Sequence, residues 1–130
     1  HPTVFVPAER GLTAHARVAL PQVVPHSDAA HSAGRAALLV HALTADPTLF
    51  YPATEDRLHQ QYRAAGMPAT AELVARLRGA GVAAVVSGAG PSVLALATDG
   101  ADVPDTPGWL RLSPPCDVMG AVCEVGLSQR

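Results

Sequence analysis

A chain of 130 residues is long enough for one domain, or for one and a fragment of a second. Its 48% hydrophobic content can fill a core, but with only 4% aromatic residues that core must be built largely from Ala, Val and Leu. A formal charge of -2 gives no electrostatic case for nucleic acid or an anionic membrane surface, and no run approaches the ~18 apolar residues of a membrane span.

In chain order, Thr3 to Val6 reads as a short strand stopped by Pro7. Thr13 to Leu20 reads as a short helix with Thr13 as its N-cap and Pro21 as its stop. Pro21 to Pro25 is a crossover linker, so residues 1–24 are expected to end one domain and residues 25–130 to form the next. Ser27 or Asp28 can cap a longer helix reaching about Leu43, with Ala36, Leu39, Val40 and Leu43 on one face. Asp46-Pro47 opens a short helical turn through Leu49 and Tyr51. Thr54 is expected to cap a helix over Asp56 to Ala65, ended by Gly66. Ala71 to Ala80 predicts a further helix whose buried stripe is Leu73, Val74 and Leu77.

Strands follow at Val82–Val86 and Val93–Ala97. Thr98 to Gly108, rich in Asp, Pro and Gly, reads as a loop; Trp109 to Leu112 and Ala121 to Val125 read as strands. Helices first, then strands joined by glycine turns, predict an α+β sandwich with a mainly antiparallel sheet.

Between the two apolar runs stands Ser87-Gly88-Ala89-Gly90-Pro91. Its glycines permit backbone angles and close approaches that a Cβ forbids. Such a turn can aim amide N–H groups at a phosphate or carboxylate; equally, it can be a tight structural turn. Arg17 falls four residues after Thr13, on the same helix face. An Arg there can grip a carboxylate or phosphate through two parallel hydrogen bonds, or simply face solvent, and Arg63 poses the same choice. His26, Asp28 and His31 lack the i, i+4 spacing of a helical zinc pair, so Asp28 reads better as a cap. His41 and His59 read as helix-face residues. Cys116 and Cys123 are too few and too close for a disulfide framework, so reduced thiols and a cytoplasmic location are expected. These residues hold no basic-then-apolar stretch, so secretion is not expected. The chain has no Lys, Asn or Ile, residues with A/T-rich codons, which points to a bacterium with a G+C-rich genome. It opens on His1 inside a strand-like run, as part of a longer protein would.

Four segments in succession carry a resemblance: Thr13-Ala14-His15-Ala16-Arg17 with Leu20-Pro21; Ser27-Asp28-Ala29 with Arg35 to Val40; Ala53 to Arg63, reading ATEDRLHQQYR; and Val85 to Ser92. Together they resemble the C-terminal part of the bacterial homoserine kinases, of the GHMP kinase superfamily, over Thr3 to about Val125. The glycine turn is shared across the superfamily, whereas the Thr-x-x-Ala-Arg and Asp-Arg-Leu-His-Gln-x-Tyr-Arg stretches point to homoserine. The resemblance implies a ferredoxin-like two-layer αβ sandwich and a homodimer. It implies transfer of the γ-phosphoryl of ATP to the hydroxyl of L-homoserine, with Mg²⁺, in threonine biosynthesis. It assigns Thr13, Arg17 and Arg63 to the substrate side, and Ser87, Gly88, Ala89 and Gly90 to the neighbourhood of the nucleotide phosphates.

The chain also departs from that family. The phosphate loop, Pro-x-x-x-Gly-Leu-Gly-Ser-Ser, does not occur in these residues, so ATP and Mg²⁺ are expected to be held mainly by a preceding domain and the chain alone to be inactive. His31-Ser32 stands where the family more usually has Phe-Asn. Thr98 to Gly108 is shorter than the helix often found there, which would thin one layer. No general base stands out. The alternatives are another GHMP kinase, acting on mevalonate-type or sugar substrates, and a plait domain that binds a small ligand without chemistry.

Overall fold

The computed structural model describes residues 1–8, 13–98, 103–117 and 120. The Thr3 to Val6 run becomes β1 (Pro2–Val6), and the runs flanking the glycine turn become β2 (Ala83–Val86) and β3 (Val93–Leu96). With β4 (Leu110–Leu112) they make one sheet in the order β2-β3-β1-β4, each neighbouring pair antiparallel. This is the strand order of a split β-α-β plait, the expected ferredoxin-like arrangement. β1 falls within the 1–24 segment expected to end a preceding domain; it lies inside this sheet, paired to β3 on one side and β4 on the other.

Side chains alternate across a strand, which sorts the sheet into two faces. Thr3, Phe5, Ala84, Val93 and Ala95 are buried on one of them. Against that face lies α5 (Pro68–Gly79), with Leu73 and Leu77 buried and Val74 packed at the edge, as the stripe predicts. The helix starts three residues earlier than expected, because Pro68 at its first turn has no N–H to leave unpaired and a φ already set for a helix. Among the described residues no helix joins β3 to β4. Instead Val103 and Thr106 are buried, and Arg111 Nη1 donates to Val103 O at 3.2 Å.

The helical stretch between β1 and β2 corrects several expectations. α1 spans Thr13–Val18; the Thr13 side chain, and with it the capping expectation, lies outside what is described. α2 (His26–Thr44) begins directly after Pro25 without a side-chain cap. The Pro25 carbonyl accepts from Asp28 N and Ala29 N, so neither Ser27 nor Asp28 is needed there. The face of α2 that carries Ala36, Leu39, Val40 and Leu43 is not its buried one: Val40 is 63% and Leu43 59% exposed, and Ala42 is buried. The inward face runs through Asp28, His31, Arg35, Leu38 and Ala42. Half of it is polar because it meets charged residues of the loop after α3, and apolar periodicity cannot register such a face.

A 3₁₀ turn at Pro47–Leu49, with Thr48 N donating to Asp46 Oδ1 at 3.1 Å, leads into α3 (Phe50–Ala53). Thr54 Oγ1 donates back to Phe50 O at 2.8 Å, so Thr54 closes α3 rather than opening the next helix. The expected helix over Asp56 to Ala65 is shorter: α4 covers Gln60–Arg63 and passes into a 3₁₀ turn at Ala64–Gly66. The strand expected at Ala121 to Val125, and Cys123, lie outside the described residues; Cys116 is an exposed free thiol. No helix among the described residues is long and apolar enough to cross a membrane.

Candidate functional site

One carboxylate organises the approach to α4. Asp56 accepts from Leu58 N at 3.0 Å, His59 N at 3.0 Å and Gln60 N at 2.7 Å, and lies 3.1 Å from His59 Nδ1. Partial burial alone would raise its pKa. The hydrogen bonds, led by the Gln60 and Leu58 amides, outweigh that and hold it below the ordinary aspartate value. The same loop is tied to α2 by a polar cluster. His31 Nε2 and Arg35 Nη2 lie 3.2 Å and 3.1 Å from Glu55 Oε2. Arg57 Nη1 lies 3.5 Å from Asp28 Oδ1, and Arg57 N donates to Ser32 Oγ at 3.2 Å. His31 and Ser32, the two departures at Phe-Asn, are thus paired polar residues here.

From α4, two side chains reach the glycine turn. Gln60 Oε1 accepts from Val86 N at 2.8 Å, at the end of β2. Arg63, one turn later, donates Nη1 to Gly88 O at 3.2 Å and Nε to Ala16 O at 3.0 Å. Arg63 therefore bridges the turn to α1, at the residue just before Arg17. The turn itself is closed by Ser87 N donating to Ser92 O at 2.8 Å and Gly90 N donating to Ser87 O at 3.0 Å. Gly88 and Gly90 take φ of +59 and +83, the left-handed region that glycine enters without penalty. Thr70 Oγ1, on α5, donates to Pro91 O at 2.7 Å.

These bonds leave two amides over. The Gly88 and Ala89 N–H groups have no hydrogen-bond partner among the described residues. The Gly88–Ala89 peptide is trans, so its N–H points away from the Gly88 oxygen that Arg63 holds.

A cavity of about 520 Å³ opens here, with Arg17, Arg63, Gly88 and Ala89 in its wall together with Asp56, His59 and Gln60. The Arg17 side chain makes no hydrogen bond or ion pair among the described residues, and Arg63 leaves Nη2 unengaged. Asp56, the carboxylate in that wall, already accepts from three backbone amides. Two guanidinium groups against one committed carboxylate leave the cavity short of negative charge, the electrostatics of an anion site. Arg63 also lines a more apolar cavity of about 440 Å³, with Met67, Pro91 and Trp109 in its wall. Among the described residues no three His, Cys, Asp or Glu side chains gather to hold a metal ion.

The structure thus brings Arg17, Arg63, Gly88 and Ala89 to one cavity. Ser87 and Gly90 shape the turn through their backbones, while Ser87 keeps an exposed side chain. Residue-by-residue reading gives Asp56 and Gln60 no place in the site and takes His59 for a helix-face residue. Their signal lay in the run Asp56 to Arg63, where an Asp before a one-turn helix marks a cap and Gln60 and Arg63, three apart, share a face.

Residues 29–105 match the family described as GHMP kinases C terminal. The chain is 65% identical over 96 residues to a homoserine kinase of Streptomyces coelicolor, covering 74% of this chain and 31% of that protein. It is 55% identical over 103 residues to a homoserine kinase of Rhodococcus erythropolis, covering 76% and 33%. The crystal structure of homoserine kinase from Cytophaga hutchinsonii superposes with a TM-score of 0.68 at 28% identity, over 76% of this chain and 32% of that one. The chain spans about a third of the length of these relatives.

Proposed function

Since the chain belongs to the GHMP kinases C-terminal family, we propose that it is the C-terminal part of a homoserine kinase, which phosphorylates the hydroxyl of L-homoserine with ATP in threonine biosynthesis. The observation that carries this reading is the wall shared by Arg17 and Arg63. An amino-acid substrate brings a carboxylate, and two guanidinium groups suit it better than a neutral sugar. Arg17 offers its whole fork; Arg63 offers Nη2, because Nε and Nη1 are spent on Ala16 O and Gly88 O. Thr13, four residues before Arg17, is assigned to the same substrate side. A carboxylate held at one end restricts where the hydroxyl at the other end can go, which is the positioning that phosphoryl transfer needs.

ATP supplies the phosphoryl group. The unpartnered Gly88 and Ala89 N–H groups fit a phosphate oxygen. Because the Ala89 N–H faces away from Arg63, the turn suits two separate anions. Mg²⁺ is the ion the family implies; no described cluster of side chains fits it, and this reading assigns its ligands and most of the nucleotide contacts to the rest of a full-length kinase. That protein is taken to be a cytoplasmic bacterial homodimer, and this chain alone to be inactive.

The test is ADP release by the full-length protein with homoserine, mevalonate and galactose. Turnover with homoserine alone is expected, and none from the 130-residue chain. Turnover with mevalonate or galactose and not with homoserine overturns the reading.

A further inference from the structure

We propose that Gln60 is a positioning residue that sets where Arg63 stands relative to the glycine turn. The proposal rests on the reading above, in which Arg17 and Arg63 take the substrate carboxylate. β2 lies at the edge of the sheet. Ser87 N points into the hairpin, toward Ser92 O, so by alternation the Val86 N–H points out of the sheet. An outward N–H on an edge strand needs water or a side chain, and Gln60 Oε1 supplies the acceptor at 2.8 Å.

The consequence comes from the shortness of α4. Four residues make one helical turn, which has no stability of its own and keeps its place only through its attachments. At its N-terminal side Asp56 holds three amides. On its inner face Gln60 holds residue 86 and Arg63 holds residue 88. Those two bonds clamp the strand exit from one helix face, and Gln60 is the member that holds β2 itself, at Val86 N. Without it, the Val86 N–H loses its acceptor and Arg63 alone sets the distance between α4 and the turn.

The experiment uses the full-length kinase and steady-state kinetics. Gln60→Met keeps the length of the side chain and removes the acceptor; Gln60→Asn keeps the amide and shortens its reach. Both are expected to lower kcat/KM for homoserine about tenfold, the factor one ordinary hydrogen bond is worth, with a raised homoserine KM and an unchanged ATP KM. Gln61→Met, which removes only the exposed bond from Gln61 Nε2 to Arg57 O, is expected to change neither. If Gln60 acts through Arg63, the double variant Gln60→Met/Arg63→Lys costs little more than Arg63→Lys alone. Normal homoserine kinetics in Gln60→Asn, equal rises in both KM values, or additive losses in the double variant overturn the proposal. An Arg17→Ala variant with unchanged homoserine KM overturns instead the reading beneath it. A raised KM in Arg17→Ala beside a silent Gln60→Asn leaves that reading standing and removes this one.

Discussion

Gly88 and Gly90 sit two residues apart in the same turn, yet alanine should be tolerated less well at the second. Both take positive φ, so each alanine carries a left-handed cost of about 1–2 kcal/mol. At Gly88 nothing lies within 4 Å of where a Cβ would stand, and that cost is the whole effect. At Gly90 the Cβ would meet Met67 Sδ at 2.6 Å and Val86 Cγ1 at 3.1 Å. Val86 is held by the ladder to Val93 and by Gln60, so Met67 must move. Met67 Sδ is near the end of a flexible side chain in the wall of an open cavity, so this overpacking adds about 1 kcal/mol, the low end of its range. Gly90→Ala should therefore cost roughly 2–3 kcal/mol against about 1–2 for Gly88→Ala. Urea denaturation of both variants, followed by circular dichroism, measures the difference. Repeating Gly90→Ala in a Met67→Ala background should recover most of it as a coupling energy. Equal costs at the two glycines, or no coupling to Met67, refute the reasoning.

Arg78 lies 4.3 Å from the Tyr51 ring centroid and donates to Thr54 Oγ1 at 3.0 Å, Tyr51 O at 3.0 Å and Ala84 O at 3.3 Å; Arg78→Lys keeps the charge but not the fork and should cost about 1–2 kcal/mol by denaturant titration. Leu77 is fully buried against the sheet, and Leu77→Ala should lose about 2–5 kcal/mol in the same titration. Asp56 has a folded pKa below its unfolded value. Its contribution is therefore complete above the ordinary value of about 3.9 and lost as pH falls through the lowered one. The thermal midpoint of the native protein should exceed that of Asp56→Ala at pH 7, and the gap should close only below about pH 4. A gap that does not narrow at all as pH falls below about 4 contradicts the capping role.

β1, β3 and the α5 stripe were legible in the sequence because each is an apolar period facing a single partner. Leu73 and Leu77 needed only the sheet beside them. α2 was legible as a helix but its inward side was not, for the opposite reason: that side is partly His31 and Arg35, drawn in by Glu55, while Val40 and Leu43 stay exposed. Thr54 was misassigned because a hydroxyl can bond backward to Phe50 O as readily as forward to a new helix, and sequence does not give the direction. Arg17 and Arg63 are 46 positions apart. Only resemblance could pair them, since no local period links α1 to α4. The link is a side chain on a backbone carbonyl, Arg63 Nε on Ala16 O, which leaves no trace in spacing.

The carboxylate grip is tested most directly by asking whether Arg17 and the substrate's charge report the same contact. Full-length kinase and its Arg17→Ala variant are each assayed with homoserine and with homoserine amide, which lacks the negative charge. The native enzyme should favour homoserine by about 10–100-fold in kcat/KM, the worth of a charge-assisted hydrogen bond, and Arg17→Ala should erase most of that preference by losing activity on homoserine alone. A variant that loses the same factor on both compounds, keeping the native preference, contradicts the account.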